Sequence, residues 1–231
     1  MIKKNEIIKN YYDHHFKNLC YTGFQRRGSR FIHKSLEKYW GNASAKYVME
    51  VGAGNGEHLE FVDYTLSNGA TNYIALDFRK PTINETQNQS KLNKINVIWG
   101  QGDIENLPFK NQSFDRVIST CLFLHLDNPL QAYEELKRVT KIKGELCIAY
   151  PTDPGLLNRF VKRFYTHRKA KKLGVQDIGL VSALEHRNNI HGLLEIQNHV
   201  FKDNLIRNHY LPFGLQSWNF NLLVISHIKI I

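Results

Sequence analysis

Val48-Met-Glu-Val-Gly-Ala-Gly-Asn-Gly56 is the stretch on which the reading of this chain turns. An apolar run, Tyr47 to Val51, ends in three glycines at alternate positions, Gly52, Gly54 and Gly56. Glycine permits positive φ and lets a ligand approach bare backbone. The run predicts a buried strand and the glycines a tight turn. Gly56 to Leu66, with Leu59, Phe61, Val62 and Leu66, has helical spacing, and free amides at such a helix start suit an anionic group. The pattern continues outward. Tyr73–Leu76 (closed by Asp77), Asn96–Trp99, Phe114–Ser119 and Leu146–Tyr150 read as strands, and Pro81–Leu92 and Leu130–Thr140 as helices. About 50 residues of helical character follow, then a final pair of strands around His209–Phe213 and Trp218–Ile230. Strands alternating with helices predict an α/β protein with a parallel sheet covered on both faces. Ligands of such sheets bind beyond the carboxyl ends of the strands, here just after Val51, Leu76, Gly100 and Ser119.

Composition bounds the rest. In 231 residues, 42% hydrophobic and 23% charged are globular proportions and exclude a disordered chain. Thirty-one Lys and Arg against 21 Asp and Glu leave a net charge of +10, which favours nucleic acid, phosphorylated metabolites or lipid head groups without choosing among them. Cys20, Cys121 and Cys147 are far apart and form no C-x-x-C pair, so neither a disulfide framework nor a cysteine zinc site is expected. MIKKNEIIKN at the start lacks the apolar core of a secretory signal, and Leu222 to Ile231 is too short to span a bilayer. A cytoplasmic protein without a membrane span is the expectation.

Asp77, closing the strand after the glycine loop, is placed to accept both hydroxyls of a ribose. A dinucleotide fingerprint needs a third glycine where Glu57 stands. A carboxylate beside a pyrophosphate is unfavourable, and Glu50 adds a second negative charge. A positively charged ligand suits the loop better, and NAD is disfavoured.

At this point a resemblance enters. Glu50-Val-Gly-Ala-Gly-Asn-Gly56 resembles motif I of the class I S-adenosylmethionine-dependent methyltransferases. Asp77 matches their ribose-binding acid. Gly102-Asp-Ile-Glu-Asn-Leu-Pro-Phe109, Phe114-Asp-Arg-Val-Ile-Ser-Thr120 and Lys137-Arg-Val-Thr-Lys-Ile-Lys-Gly144 resemble three further motifs, in family order. The likeness covers about residues 45 to 150 and is nearest to the ubiquinone/menaquinone and "type 11" small-molecule branch. It implies a Rossmann-like, seven-stranded, mostly parallel sheet with helices on both faces and an antiparallel C-terminal strand. Residues 1–44 would form an N-terminal helical cap, and 45–231 the catalytic domain with a helical insertion at about 152–205. The implied cofactor is S-adenosylmethionine, held by Glu50, Gly52, Ala53, Gly54, Gly56, Asp77, Phe78, Asp103, Ile104 and Thr120. Asp103 accepts from the adenine amine, Ile104 packs on the ring, Glu50 engages the methionine ammonium, and Thr120 offers its carbonyl.

A methyl on a sulfonium is already electrophilic, so the protein mainly aligns the acceptor. A hydroxyl or amine acceptor also needs a proton acceptor, for which histidine is suited. His125 follows the fourth strand, and His186 and His191 lie in the C-terminal region; these three are the candidate bases. No cysteine or carboxylate constellation accompanies His186 and His191, so no metal is expected. Tyr11, Tyr12 and Arg30 are placed for a lid. The basic run Arg159 to Lys172, with no acid between Asp153 and Asp177, is either a solvated helix face or a dock for an anionic substrate. Ser119-Thr-Cys-Leu lacks the tetrad that holds a flipped base, which weakens base methylation. A small-molecule methyltransferase acting on a hydroxyl or amine of a sugar, nucleotide-sugar, lipid or secondary metabolite therefore leads, with an anionic acceptor compatible with the net charge. An RNA methyltransferase and a non-catalytic cofactor-binding subunit stand as alternatives, and oligomeric state leaves no sequence signal.

Overall fold

Apolar side chains on both faces of a short run leave a strand no solvent face, which is what a central parallel strand requires. In β1 (Tyr47–Val51) only the first residue is exposed. The computed structural model describes residues 4–20, 22–40, 45–63, 71–79, 95–175 and 177–231. It adds β2 (Asn72–Asp77), β3 (Asn96–Gln101), β4 (Phe114–Thr120), β5 (Thr140–Pro151), β6 (Leu205–Leu211) and β7 (Leu223–Lys229). All seven form one sheet in the order β3-β2-β1-β4-β5-β7-β6. The first five pair in parallel, while β7 runs antiparallel to both β5 and β6. The chain builds outward from β1 to β3, then restarts beside β1 with β4, which puts the switch in strand order between β1 and β4. This is the architecture the resemblance implies.

The helices are α1 (Lys4–His14), α2 (Phe16–Cys20), α3 (Gly23–Trp40), α4 (Pro129–Val139), α5 (Leu156–Val161), α6 (His167–Lys172), α7 (Ile178–Glu185) and α8 (Ile190–Val200). Asn128 and Asn189 cap α4 and α8, each side chain accepting an amide three residues on. On one sheet face, Met49, Val51, Val117 and Ile148 pack with Tyr133 and Leu136 of α4 and Leu193 of α8. On the other, Val48, Ala75, Ile118 and Cys147 pack with Leu36 and Trp40 of α3. A third cluster joins Tyr11 and Leu19 of α1 and α2 to Ala170 and Val181 of α6 and α7. The first two helices thus pack on the segment inserted after β5. Among the described residues no helix is long and apolar enough to cross a membrane.

Two expectations need correction. The helix over Gly56–Leu66 is a single 3-10 turn, Glu57–Glu60, with Phe61 to Asp63 non-helical and residues 64–70 outside the described part. Leu59 and Val62 are buried as their spacing implied. However, Glu57 and His58 are held against α3 by polar partners, and this fixes the turn instead of a long helix. The last two strands are shifted from His209–Phe213 and Trp218–Ile230. Pro212, lacking an N–H, ends β6 at Leu211, and a 3-10 turn at Trp218–Phe220 delays β7. The Pro81–Leu92 helix lies outside the described residues.

Candidate active site

The amides of Gly52 and Ala53 both donate to the carbonyl of Leu76 on β2, each at 2.9 Å, pinning the loop to the neighbouring strand. Gly52, Gly54 and Gly56 take φ of 78°, 54° and 76°, a region where a β-carbon costs about 1–2 kcal/mol. The Gly54 amide donates to Asp77 Oδ2 and the Arg79 amide to Oδ1, both at 2.9 Å. Each carboxylate oxygen has two acceptor directions, so each keeps one free for a hydroxyl of a vicinal diol. Asp103 Oδ1 accepts the Glu105 amide at 2.9 Å, leaving Oδ2 for an amine, and Ile104 beside it is buried. At the end of β4, the buried hydroxyl oxygens of Ser119 and Thr120 have no hydrogen-bond partner among the described residues. Burial pushes the adjacent Cys121 thiol up to about 12, so it stays neutral. A diol acceptor, an amine acceptor, an apolar surface and unpaired hydroxyls around bare glycine backbone fit S-adenosylmethionine.

Glu50 lies beneath this loop. Tyr73 Oη donates to its Oε2 at 2.8 Å, and burial pushes its carboxyl up against the opposing pull of His58 and Tyr73. Glu57 points to α3, where Ser29 Oγ donates to it at 2.5 Å. The charge that argued against a dinucleotide therefore serves helix packing. Phe78 is exposed at the loop's edge.

A second array of polar side chains stands beyond β4 and β5. His125 Nδ1 is 3.0 Å from the Glu185 carbonyl oxygen and 3.6 Å from its carboxylate. The nitrogen facing a carbonyl carries the proton, so neutral His125 keeps its lone pair on Nε2. Burial first, then the neighbouring His186, push this imidazole down to about 4, keeping it neutral near pH 7. The His186 ring meets His125 edge-on with centroids 5.1 Å apart, and its Nδ1 is 2.5 Å from Asp153 Oδ2. Lys162 Nζ also donates to Asp153. Burial raises the Asp153 carboxyl, but the bonds from His186 and Lys162 outweigh it and hold the group at about 2. Tyr12 Oη donates to the Glu185 carboxylate, and the Arg79 guanidinium sits 3.3 Å over the Tyr12 ring. The end of β2 is thereby tied to α1, α7 and the segments after β4 and β5. A cleft of about 340 Å³ opens between Asp153, Lys162, His167, Ser182 and His186.

The structure brings His125 and His186 together, while His191 is exposed at the start of α8 and does not line that cleft. Tyr12 joins the array. Arg30 instead pairs with Glu60 and lies 4.8 Å over Phe61, and Tyr11 is core. Sequence reading passed over Arg79, Asp153 and Glu185. Asp153 had a signal, because it follows β5 and the strand-end rule applies there as it does after β4. Glu185 had none. The group of potential metal ligands among the described residues is Glu145, Cys147 and His227, within the sheet, where His227 Nδ1 is 3.2 Å from Glu145 and 3.4 Å from Cys147. Burial lowers the His227 imidazole, but hydrogen bonds with Cys147 and Glu145 win and raise it to about 9.

Comparison with known proteins agrees with the geometry. A family model described as a methyltransferase domain matches residues 42–198. The chain is 30% identical over 114 residues to 2-methyl-6-phytyl-1,4-hydroquinone methyltransferase 1, chloroplastic, of Oryza sativa subsp. japonica, covering 49% of this chain and 33% of the relative. It is 33% identical over 106 residues to a probable phthiotriol/phenolphthiotriol dimycocerosates methyltransferase 2 of Mycobacterium ulcerans, covering 46% of this chain and 40% of that one. The matches thus span under half of these relatives' own length. A crystal structure of a SAM-dependent methyltransferase from Aquifex aeolicus superposes with a TM-score of 0.58 at 18% identity, with full coverage of both chains. The chain belongs to the methyltransferase-domain family and has the fold of that SAM-dependent methyltransferase.

Proposed function

We propose that the protein moves a methyl group from S-adenosylmethionine to a hydroxyl or amine of a small molecule held between the strand ends and the helices after β5. The cofactor supplies an electrophilic methyl on a sulfonium. Asp77 and the glycine loop would hold its ribose and backbone, Asp103 and Ile104 its base, and Glu50 and Thr120 the methionine end. The observation that carries the acceptor side is the chain of contacts from Glu185 through His125 to His186 and Asp153, of which His186 and Asp153 line the cleft. His125, neutral with Nδ1 fixed on a carbonyl, would take the acceptor's proton through Nε2, as a base that its lowered pKa makes always available but weak near pH 7. The His186–Asp153–Lys162 cluster gives the same cleft fixed charges that orient a polar acceptor.

The names of the two relatives include a phytyl hydroquinone and phthiotriol dimycocerosates, which puts lipid-tailed alcohols and phenols first in an acceptor panel. The test is transfer of labelled methyl to that panel, followed by His125→Ala on the acceptor found. Loss of a general base lowers kcat about 10²- to 10⁴-fold with S-adenosylhomocysteine affinity unchanged. Unchanged kcat in His125→Ala would remove the base role, and methylation of RNA alone would replace the small-molecule reading.

A further inference from the structure

The helix that brings Lys162 to the acceptor cleft turns an unusual face to solvent. α5, a π-helical turn at Lys162–Thr166 and α6 run on without a break. Leu156, Phe160 and Phe164, four residues apart, are 56%, 57% and 41% exposed, and the two phenyl rings are 4.3 Å apart. A helix of a globular domain puts such a stripe inward and its lysines outward. Here Lys162 points in, bonded to Asp153, and the apolar stripe points out. Tyr165, half-exposed, stacks on Phe24 of α3 at 4.6 Å, so the apolar surface continues onto the neighbouring helix. Single exposed apolar residues need no explanation, but a contiguous patch marks a contact surface.

The charges beside the stripe say what it contacts. Arg159, Arg163, Arg168, Lys171 and Lys172 are exposed on the same helix, and the sequence has no acid between Asp153 and Asp177. Among the described residues none of these five forms an ion pair, and Arg168 lies 5.4 Å from the Phe164 ring centre. Unpaired cations flanking an exposed apolar stripe suit a surface that offers anions and an apolar layer together. A bilayer surface with anionic head groups satisfies both halves. Phenyl and leucyl side chains enter the acyl boundary, while arginine and lysine stems extend back to the phosphates.

We propose that the face of residues 156–172 docks the protein on an anionic lipid surface, with the cleft lined by Asp153, Lys162 and His186 on the inner side of the same helix. This goes beyond the methyl-transfer reading and does not require it. The test is co-sedimentation with phosphatidylcholine vesicles, with and without phosphatidylglycerol, for the wild type, Phe160→Ser/Phe164→Ser and Arg159→Gln/Arg163→Gln. All four positions are exposed, so folding is preserved, and thermal unfolding checks this. The wild type should bind only the vesicles containing phosphatidylglycerol, less at high salt, and each double variant should bind about tenfold or more weakly. No binding to either vesicle, or binding that survives both double variants, overturns the proposal. So does a patch whose loss instead abolishes self-association or RNA binding while vesicle binding is unchanged. Methyl transfer is not part of the readout, so failure here leaves the activity reading standing, and the reverse holds too.

Discussion

Arg116 lies in the middle of β4 with no exposed surface, and replacing it with methionine tests how α3 is held on the sheet. Its guanidinium donates to Glu37 Oε1 at 2.7 Å and to Oε2 at 3.1 Å, and lies 3.8 Å over Trp40; both partners are on α3. His58 Nε2 is 2.9 Å from Glu37 Oε1. Burial raises the Glu37 carboxyl, but Arg116 and His58 outweigh it and hold the group at about 2 instead of 4.5. That difference is worth about 3 kcal/mol at neutral pH. Breaking one side of such a buried pair costs about 3–5 kcal/mol, because the other charge stays buried. At ~2–4 °C per kcal/mol for a chain of this size, Arg116→Met should lower Tm by about 6–20 °C. The assay is urea and thermal unfolding by circular dichroism, with Glu37→Leu and the double variant alongside. An apolar pair replacing a buried ion pair is near neutral, so the double variant should recover part of the loss, the remainder being the Glu37 partner that buried His58 loses. The folded carboxyl titrates lower than the unfolded one. Its stabilisation is therefore complete above about pH 5 and fades as pH falls toward 2, a slope that Arg116→Met should remove. A single variant within about 1 kcal/mol of wild type, or singles whose costs simply add, would refute this account of the packing.

Two further predictions concern the site. Gly52→Ala must place a β-carbon at φ 78° and 3.0 Å from Leu122 Cδ2; unfolding should show a loss of about 1–2 kcal/mol from the backbone alone, and titration a weaker affinity for S-adenosylhomocysteine. The His125 imidazole is lowered to about 4 in the fold, so folding favours its neutral form. Stability should fall as pH drops from 6.5 to 4, less so in His125→Gln, and the acid limb of the pH–rate profile should lie near 4.

The parallel core was legible because buried strands leave short apolar runs and glycine turns leave a spacing that few structures share. Gly52, Gly54, Gly56 and Asp77 belong to one local unit, and pairing β1 with β2 brings them together, so spacing alone pointed to them. The turn after Gly56 was misread because Leu59 and Val62 satisfy both a helix and a single 3-10 turn. The deciding contacts, Glu57 with Ser29 and His58 with Glu37, reach α3 across long stretches of chain. The burial of Arg116 leaves no local signal for the same reason, since its partner Glu37 lies 79 residues away. The polar array beyond β4 and β5 shows where local pattern stops. His125 and Asp153 follow strands and obey the strand-end rule, but Glu185 enters through the packing of α7, which no short-range spacing records.

Isothermal titration with S-adenosylhomocysteine, using wild type and Asp77→Ala with NAD as the control ligand, tests the central claim most directly. Two hydroxyl hydrogen bonds to a carboxylate are worth about 1.5–3 kcal/mol each. The wild type should therefore bind S-adenosylhomocysteine and not NAD, and Asp77→Ala, folded by the same melting criterion, should bind about a hundredfold or more weakly. A folded wild type that takes up no S-adenosylhomocysteine, or an Asp77→Ala variant that binds it equally well, would contradict the cofactor site built here from the glycine loop and the end of β2.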